Sequence, residues 1–527
     1  MSFSFDCPYP VQKVPVFARN IVATSQPLAA QAGLQMLLRG GNAMDAALAT
    51  AITLTVVEPT GNGLGSDAFC IVWDGQELHG LNASGRSPAG WKPERFGDAM
   101  PSRGWESVTV PGAVSAWVTL SDRFGKLDFA DLFGPAIHYA RYGFPVSPRI
   151  SKLWSIGGEI LKEQPGFADH FLKLGHAPAP GETFINEDLA RTLEAIADSK
   201  GAAFYTGVLA EKIAAFSARH NAALSPEDLA AHKNDWCGAV SARFRGADLH
   251  EIPPNGQGIA AAIALGILEH TDIDQHGPDS VEAIHLQIEA IKLALADVDR
   301  YVADPHYMQV SPQAMLAPEY LAARAKTIDV LKAGDPGAGA PRLGGTVYLS
   351  ACDEKGMMVS YIQSNYSGFG SGVVIPGTGI HLQNRGLGFT TEKGHPNQVG
   401  PGKRPFHTII PGFLMKDNQP LMSFGVMGGP MQAQGHVQMV VRMIAFGQNP
   451  QTASDAPRWR FVSGRDVAVE HTMQQATIDG LASRGHTISR NSPDNSFAFG
   501  GAQLVCRYRD GYIAGSDHRK DGAALGL

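Results

Sequence analysis

The chain has 527 residues, 44 % hydrophobic and 18 % charged, with 60 glycines and a net charge of −7. Such a composition fills a substantial core and excludes a disordered chain. Its interspersed charges form neither the basic footprint of a nucleic-acid binder nor a polybasic membrane patch, which leaves a small-molecule substrate as the expected partner. The first ten residues lack a basic region followed by an apolar run, and no stretch approaches the ~18 apolar residues that span a bilayer, so a cytoplasmic protein is expected. Five cysteines, an odd number without paired spacing, indicate no disulfide framework. No metal and no cofactor is expected.

In chain order, Pro27 to Leu38 combines an N1 proline and good helix formers with a Gly40-Gly41 stop, which predicts a short buried helix. Asn42 caps a second, alanine-rich helix that ends before Glu58-Pro59. Gly61 to Gly65 precedes a strand over Ser66 to Trp73, the reverse of the strand-loop-helix order that a dinucleotide-binding glycine loop needs. Helices are expected over Asp131 to Tyr142, Glu187 to Ala197 and Pro226 to Ala231. A turn over Glu251 to Gly258 feeds another helix through Leu268. Apolar residues at Val281, Ile284, Ile288, Ile291, Leu295 and Val298 recur at three- and four-residue steps, predicting a long amphipathic helix that stops near Pro305.

A glycine- and proline-rich linker, Gly334 to Gly345, then delivers Thr346 to the start of an alternating stretch. Thr346 to Ser350 and Met357 to Gln363 read as a hairpin across Asp353 to Gly356, and Thr408 to Met415 with Pro420 to Val426 as a second one. After Gly428-Gly429 a helix is expected from Gln432 to Phe446. The pattern supports a mixed α/β (α+β) fold, helix-rich before Thr346 and strand-rich after it.

The run from Thr346 to Gly356, with Ser350 and Asp353 at fixed spacing, resembles the start of the small subunit in the gamma-glutamyltransferase family. Blocks at Ala23–Gly33, Gly40–Ala47, Val56–Pro59, Val108–Gly112, Gly143–Ser147, Gly256–Ile259, Glu289–Lys292, Lys403–Pro405, Gly428-Gly429 and Asp517–Arg519 resemble family blocks in the family's order. The resemblance implies an αββα sandwich of the N-terminal-nucleophile hydrolase type. It also implies a precursor that cuts itself between Gly345 and Thr346 into a large subunit (1–345) and a small one (346–527), intertwined as one heterodimer; further association of such heterodimers is left open. A threonine hydroxyl is a weak nucleophile, and cleavage supplies its base as the new α-amine, which titrates near ~7.7 to 8.0. Gly428 and Gly429 correspond to the family's oxyanion hole.

The substrate pocket departs from the family pattern. Arg86 lies two positions nearer the proline than the family's carboxylate-binding arginine. Gly388 takes the place of the acid that holds a glutamyl ammonium, Arg385 replaces a glutamine, His407 and Thr408 replace paired serines, and Tyr366 replaces an asparagine beside Asn365. Such a site suits a small anionic amide. The Ala23-to-Asp67 block is most similar to the oxamate amidohydrolases, which implies hydrolysis of oxamate to oxalate and ammonia in purine or allantoin catabolism. The other readings are a glutathione hydrolase or transferase and, from a different class, a non-catalytic binding member of the family.

Overall fold

A computed structural model describes residues 3–10, 13–336, 345–491 and 498–527. The middle of the linker, 337–344, therefore lies outside the described residues. Two seven-stranded sheets form the centre. One runs in the order Val16–Ala18, Gly511–Ser516, Gly501–Tyr508, Gln419–Met427, Gly412–Lys416, Ala247–Glu251, Val240–Phe244. The other runs Ala523–Gly526, Ile21–Thr24, Gly345–Cys352, Met358–Tyr366, Asp67–Trp73, Leu78–Asn82, Asp235–Trp236. All neighbouring strands within them pair antiparallel. Both sheets take strands from either side of Thr346, so the segments before and after it share each hydrogen-bonded layer.

Between the sheets lies an apolar layer that includes Phe69, Ile71, Tyr348, Ile362, Phe413 and Val505. The approach is close at Gly425, where a Cβ would meet the Tyr348 ring at 2.4 Å. Helices cover both outer faces, giving an αββα sandwich. On one side stand Pro27–Leu38 and Ala43–Val57; on the other, Gly258–Leu268, Val281–Tyr301 and Met431–Val440. The Asn42 cap is a full capping box with Asp45. Gly33 lets the first two helices touch, since a Cβ there would lie 2.3 Å from Thr50 Oγ1.

Most predicted elements stand within a residue or two of the expected bounds; the hairpin from Thr346 forms, with its second strand running on past Gln363 to Tyr366. The second hairpin starts later than expected, at Gly412, because the backbone from His407 to Ile410 bonds to Gln257, Asn255 and Gln432 and not to a ladder. The last of these helices ends at Val440 and continues as a π turn over Val441–Ala445. Among the described residues no helix is long and apolar enough to cross a membrane.

The family-like block Asp517–Arg519 is part of a buried ionic network. Asp517 bonds Arg458 Nη2 at 2.6 Å and Arg519 Nη1 at 3.1 Å, and Arg519 in turn bonds Glu470. Burial alone would raise the Asp517 carboxyl, yet the two guanidinium groups hold it well below the usual carboxylate range. A depressed carboxylate contributes stability above its unfolded pKa of about 3.9, and that contribution is lost as the pH falls below it. Asp517→Asn is expected to destabilise the protein by about 3–5 kcal/mol near neutral pH, as breaking one side of a buried pair does. Urea unfolding at neutral pH and at pH ~3 checks this, with the difference shrinking in acid.

Candidate active site

Thr346 sits at an irregularity in its own hairpin. Gly345 pairs with Tyr366 and Val347 with Gln363, so Ser364 and Asn365 together stand opposite Thr346 and form a β-bulge in the partner strand Met358–Tyr366. Bulges re-aim a side chain out of the pleat alternation and are frequent beside active sites. Thr346 Oγ1 donates to Ser364 Oγ at 3.1 Å and accepts from Gln432 Nε2 at 3.3 Å, and the residue is fully buried. Opposite Gly345, Tyr366 adopts φ 77°, a left-handed conformation that a bulky residue holds only when its surroundings impose it. Its N–H donates to Ser364 Oγ at 2.8 Å.

Gln432 links Thr346 to the glycine pair. Gly428 (φ 135°) and Gly429 (φ 61°) lie at the end of strand Gln419–Met427, in backbone conformations that favour glycine. Both are buried, and among the described residues neither N–H has a hydrogen-bond acceptor. Two such donors at the start of a helix whose second residue touches a threonine hydroxyl suit an oxygen that gains negative charge. Gln257 fixes the far side of this turn, donating to Gly429 O at 2.9 Å and to Thr408 O at 2.5 Å.

Thr408 connects the turn to Arg385. Arg385 is 1 % exposed; its Nη1 donates to Thr408 Oγ1 at 2.8 Å and its guanidinium lies 4.7 Å above the Tyr366 ring. Among the described residues its Nε and Nη2 have no hydrogen-bond partner. Burial lowers its pKa to about 10, opposed by Asp67 and Tyr366, so it is still a cation at neutral pH. Asp67 is also buried; burial raises its carboxyl to about 7, opposed by Arg385, the N–H groups of Gly85 and Gly112, and Arg404. His407 Nε2 bonds Asp67 Oδ2 at 3.1 Å, while its Nδ1 accepts from Ile409 N at 3.4 Å. Burial, reinforced by Arg385 and Arg404, keeps this imidazole well below its usual range and hence neutral.

A cavity of about 350 Å³ opens beside Tyr366 and Thr408, lined also by Gln257, Gly388, Phe406 and Pro430 and by the acids Asp299 and Glu392. The structure thus brings together Thr346, Gly428, Gly429, Tyr366, Arg385, His407 and Thr408. Asn365 stands one layer behind, its Oδ1 accepting from Ser66 Oγ at 2.7 Å. Arg86 is not brought to the group. It pairs with Asp304 at 2.9 Å and with Gly402 O at 3.1 Å, and its side chain is 41 % exposed, which corrects its expected role in the pocket.

Four residues of the site escaped the sequence reading. Ser364 follows from extending the hairpin register past Gln363, and Gln432 opens the helix after the glycine pair. Gln257 lies within the family-like block Gly256–Ile259, whose resemblance assigns it no role. Asp67 left the clearest signal, as an acid heading the otherwise apolar strand Asp67–Trp73.

A gamma-glutamyltranspeptidase family profile matches residues 29–527. The glutathione hydrolase-like YwrD proenzyme of Bacillus subtilis is 35 % identical, covering 98 % of this chain and all of the relative. The oxamate amidohydrolase proenzyme of Klebsiella pneumoniae is 34 % identical over 97 % of this chain and 99 % of its own. A cephalosporin acylase from Bacillus halodurans, 46 % identical, superposes with a TM-score of 0.94 over 99 % of both chains. Their names point to different substrates, so the substrate has to be argued from the pocket. Matched over nearly its whole length, the chain belongs to the gamma-glutamyltranspeptidase family, amide-bond hydrolases with the N-terminal-nucleophile fold.

Proposed function

We propose that the protein is a self-processing amidohydrolase that cuts amides whose acyl group carries a carboxylate, with oxamate as the smallest such substrate. The observation that carries the reading is the buried Arg385 guanidinium, whose Nε and Nη2 have no hydrogen-bond partner among the described residues and whose neighbours Tyr366 and Thr408 line the cavity. A carboxylate accepting from both restores their hydrogen bonds and neutralises a buried cation in one step.

Maturation begins when Thr346 Oγ attacks the Gly345 carbonyl carbon. The C–N bond between them breaks, the nitrogen takes the hydroxyl proton, and water opens the resulting ester. Residues 1–345 and 346–527 become separate chains, and Thr346 gains a free amine. In turnover that amine accepts the hydroxyl proton as Oγ attacks the substrate carbonyl, and the N–H groups of Gly428 and Gly429 receive the oxyanion. The departing amine or ammonia takes the proton. Water, deprotonated by the same α-amine, then releases the acyl group. Arg385 holds the carboxylate, Thr408 and Tyr366 hold Arg385, and Ser364 and Gln432 orient the Thr346 hydroxyl.

A γ-glutamyl substrate fits less well. Its ammonium would lie near a guanidinium with no acid at position 388, a costly burial of like charge. Nor can the acid simply be restored. A Cβ at Gly388 would lie 2.3 Å from Phe406 O, so Gly388→Asp is expected to destabilise the fold by about 1–3 kcal/mol without creating γ-glutamyl activity. Thermal unfolding and a γ-glutamyl anilide assay on that variant check both parts.

The cavity is roomier than oxamate needs, which favours a second reading within the same chemistry: a longer carboxyacyl amide, such as the acylated cephalosporins suggested by the neighbour's name. Amine or ammonia release from oxamate and successively longer dicarboxylic monoamides, measured beside a γ-glutamyl anilide, tests the proposal. The best carboxyacyl amide should exceed the anilide at least about 100-fold in kcat/KM, as the loss of one charged anchor implies. A γ-glutamyl preference would refute it.

A further inference from the structure

Arg385 is not the lone charge in its surroundings. Four residues form a connected chain: Arg385 Nη1 donates to Thr408 Oγ1, His407 precedes Thr408 in sequence, and His407 Nε2 bonds Asp67 Oδ2. Asp67 Oδ1 accepts the N–H groups of Gly85 and Gly112, each at 3.1 Å. The second link is through the backbone, where Gln383 N donates to Gly65 O, two residues before Asp67. All four side chains are almost wholly buried.

The other groups facing Asp67 are accounted for. Arg404 carries its own counter-ion, Asp235, and also bonds Ser84 O at 2.8 Å. Tyr205, electrostatically coupled to Asp67, is a buried phenol held neutral. His407 packs against Phe69, with ring centroids 4.8 Å apart. The buried charges left without another counter-ion are therefore one guanidinium and one carboxylate, the latter hydrogen-bonded to a neutral imidazole. An arriving substrate carboxylate makes two anions around one cation.

We propose that binding of the substrate's carboxylate at Arg385 is coupled to uptake of one proton by the Asp67–His407 pair, which makes Asp67 a specificity-determining counter-ion of the pocket. The inference rests on the reading of Arg385 as carboxylate anchor. Its physical basis is that an excess buried anion is more costly than protonating a carboxyl that burial has already raised to about 7. The added proton belongs to the hydrogen-bonded pair as a unit. Substrate binding favours the protonated pair, so affinity falls as the pH rises through the ligand-free pKa. The same coupling works against dianionic acyl groups, for which a single proton cannot restore neutrality.

The test is calorimetry on the processed enzyme with glycolate, an unreactive monoanion of oxamate's size, in buffers of different ionisation enthalpy near pH ~8. Close to one proton taken up per glycolate bound is expected, with Kd weakening up to about tenfold per pH unit above pH ~7. Asp67→Asn should abolish the uptake and flatten the pH dependence. Because the Thr346 amine persists in that variant, uptake that survives there belongs to the amine and overturns the proposal. Should Asp67→Asn not fold, infrared difference spectra of the unmodified enzyme decide: a carboxylic-acid carbonyl band appearing on glycolate binding supports it, and its absence contradicts it. Saturable binding without proton exchange refutes the coupling alone. If neither glycolate nor oxalate binds, the carboxylate-anchor reading fails and the coupling with it.

Discussion

Thr346→Ala is expected to yield a single 527-residue polypeptide that neither splits nor hydrolyses any amide. The methyl group retains the packing of a fully buried position but removes the atom that Ser364 and Gln432 hold. Both reactions need that oxygen, the first to attack Gly345 and the second to attack substrate, so one substitution abolishes both. Thr346→Ser keeps the hydroxyl without the γ-methyl that stiffens χ1, and should still split, more slowly. Intact mass of the purified variants reads the outcome directly. A Thr346→Ala protein that splits after Gly345 would remove the nucleophile assignment, and one that stays whole yet hydrolyses oxamate would remove its catalytic half.

Arg385→Ala should separate those two reactions. The precursor's scissile bond carries no free carboxylate, so self-cleavage is expected to proceed. Turnover of oxamate loses two charge-assisted hydrogen bonds at about 1.5–3 kcal/mol each, a fall in kcat/KM of roughly 10²- to 10⁴-fold. The fold should tolerate the change because Asp67, deprived of its counter-ion, can become neutral by binding a proton. Arg385→Lys keeps the charge but not the planar fork over Tyr366, and should recover only part of the loss. Steady-state kinetics beside gel analysis of splitting checks both expectations. Undiminished oxamate hydrolysis by Arg385→Ala would remove the anchor from the account.

Much of the scaffold was legible because its signals are local. The Asn42 cap, the Pro27 start and the apolar spacing from Val281 each fix an element by short-range chemistry, and those helices stand where expected. The αββα layering was not legible from patterning alone and came through the family resemblance, since alternation identifies strands but not their partners. In the site, chain neighbours of known motifs were found, and groups that meet only in space were not. Asp67 and His407 are 340 residues apart, and nothing in the spacing of either announces the contact. Arg86 shows the converse: an arginine near the expected motif, drawn instead to Asp304 because that buried carboxylate needs a cation. The bulge opposite Thr346 and the left-handed Tyr366 lie beyond sequence reading, for both are imposed by what packs around them.

The central claim is that Thr346 becomes a free N-terminal nucleophile and carries the carboxyacyl group during turnover. Intact and peptide mass spectrometry of the enzyme, quenched in acid while hydrolysing a slow carboxyacyl substrate, tests it most directly. The account predicts two chains, 1–345 and 346–527, with a single carboxyacyl adduct on the peptide that begins at Thr346. An unsplit chain that still turns over substrate, or an adduct on any other residue, would contradict it.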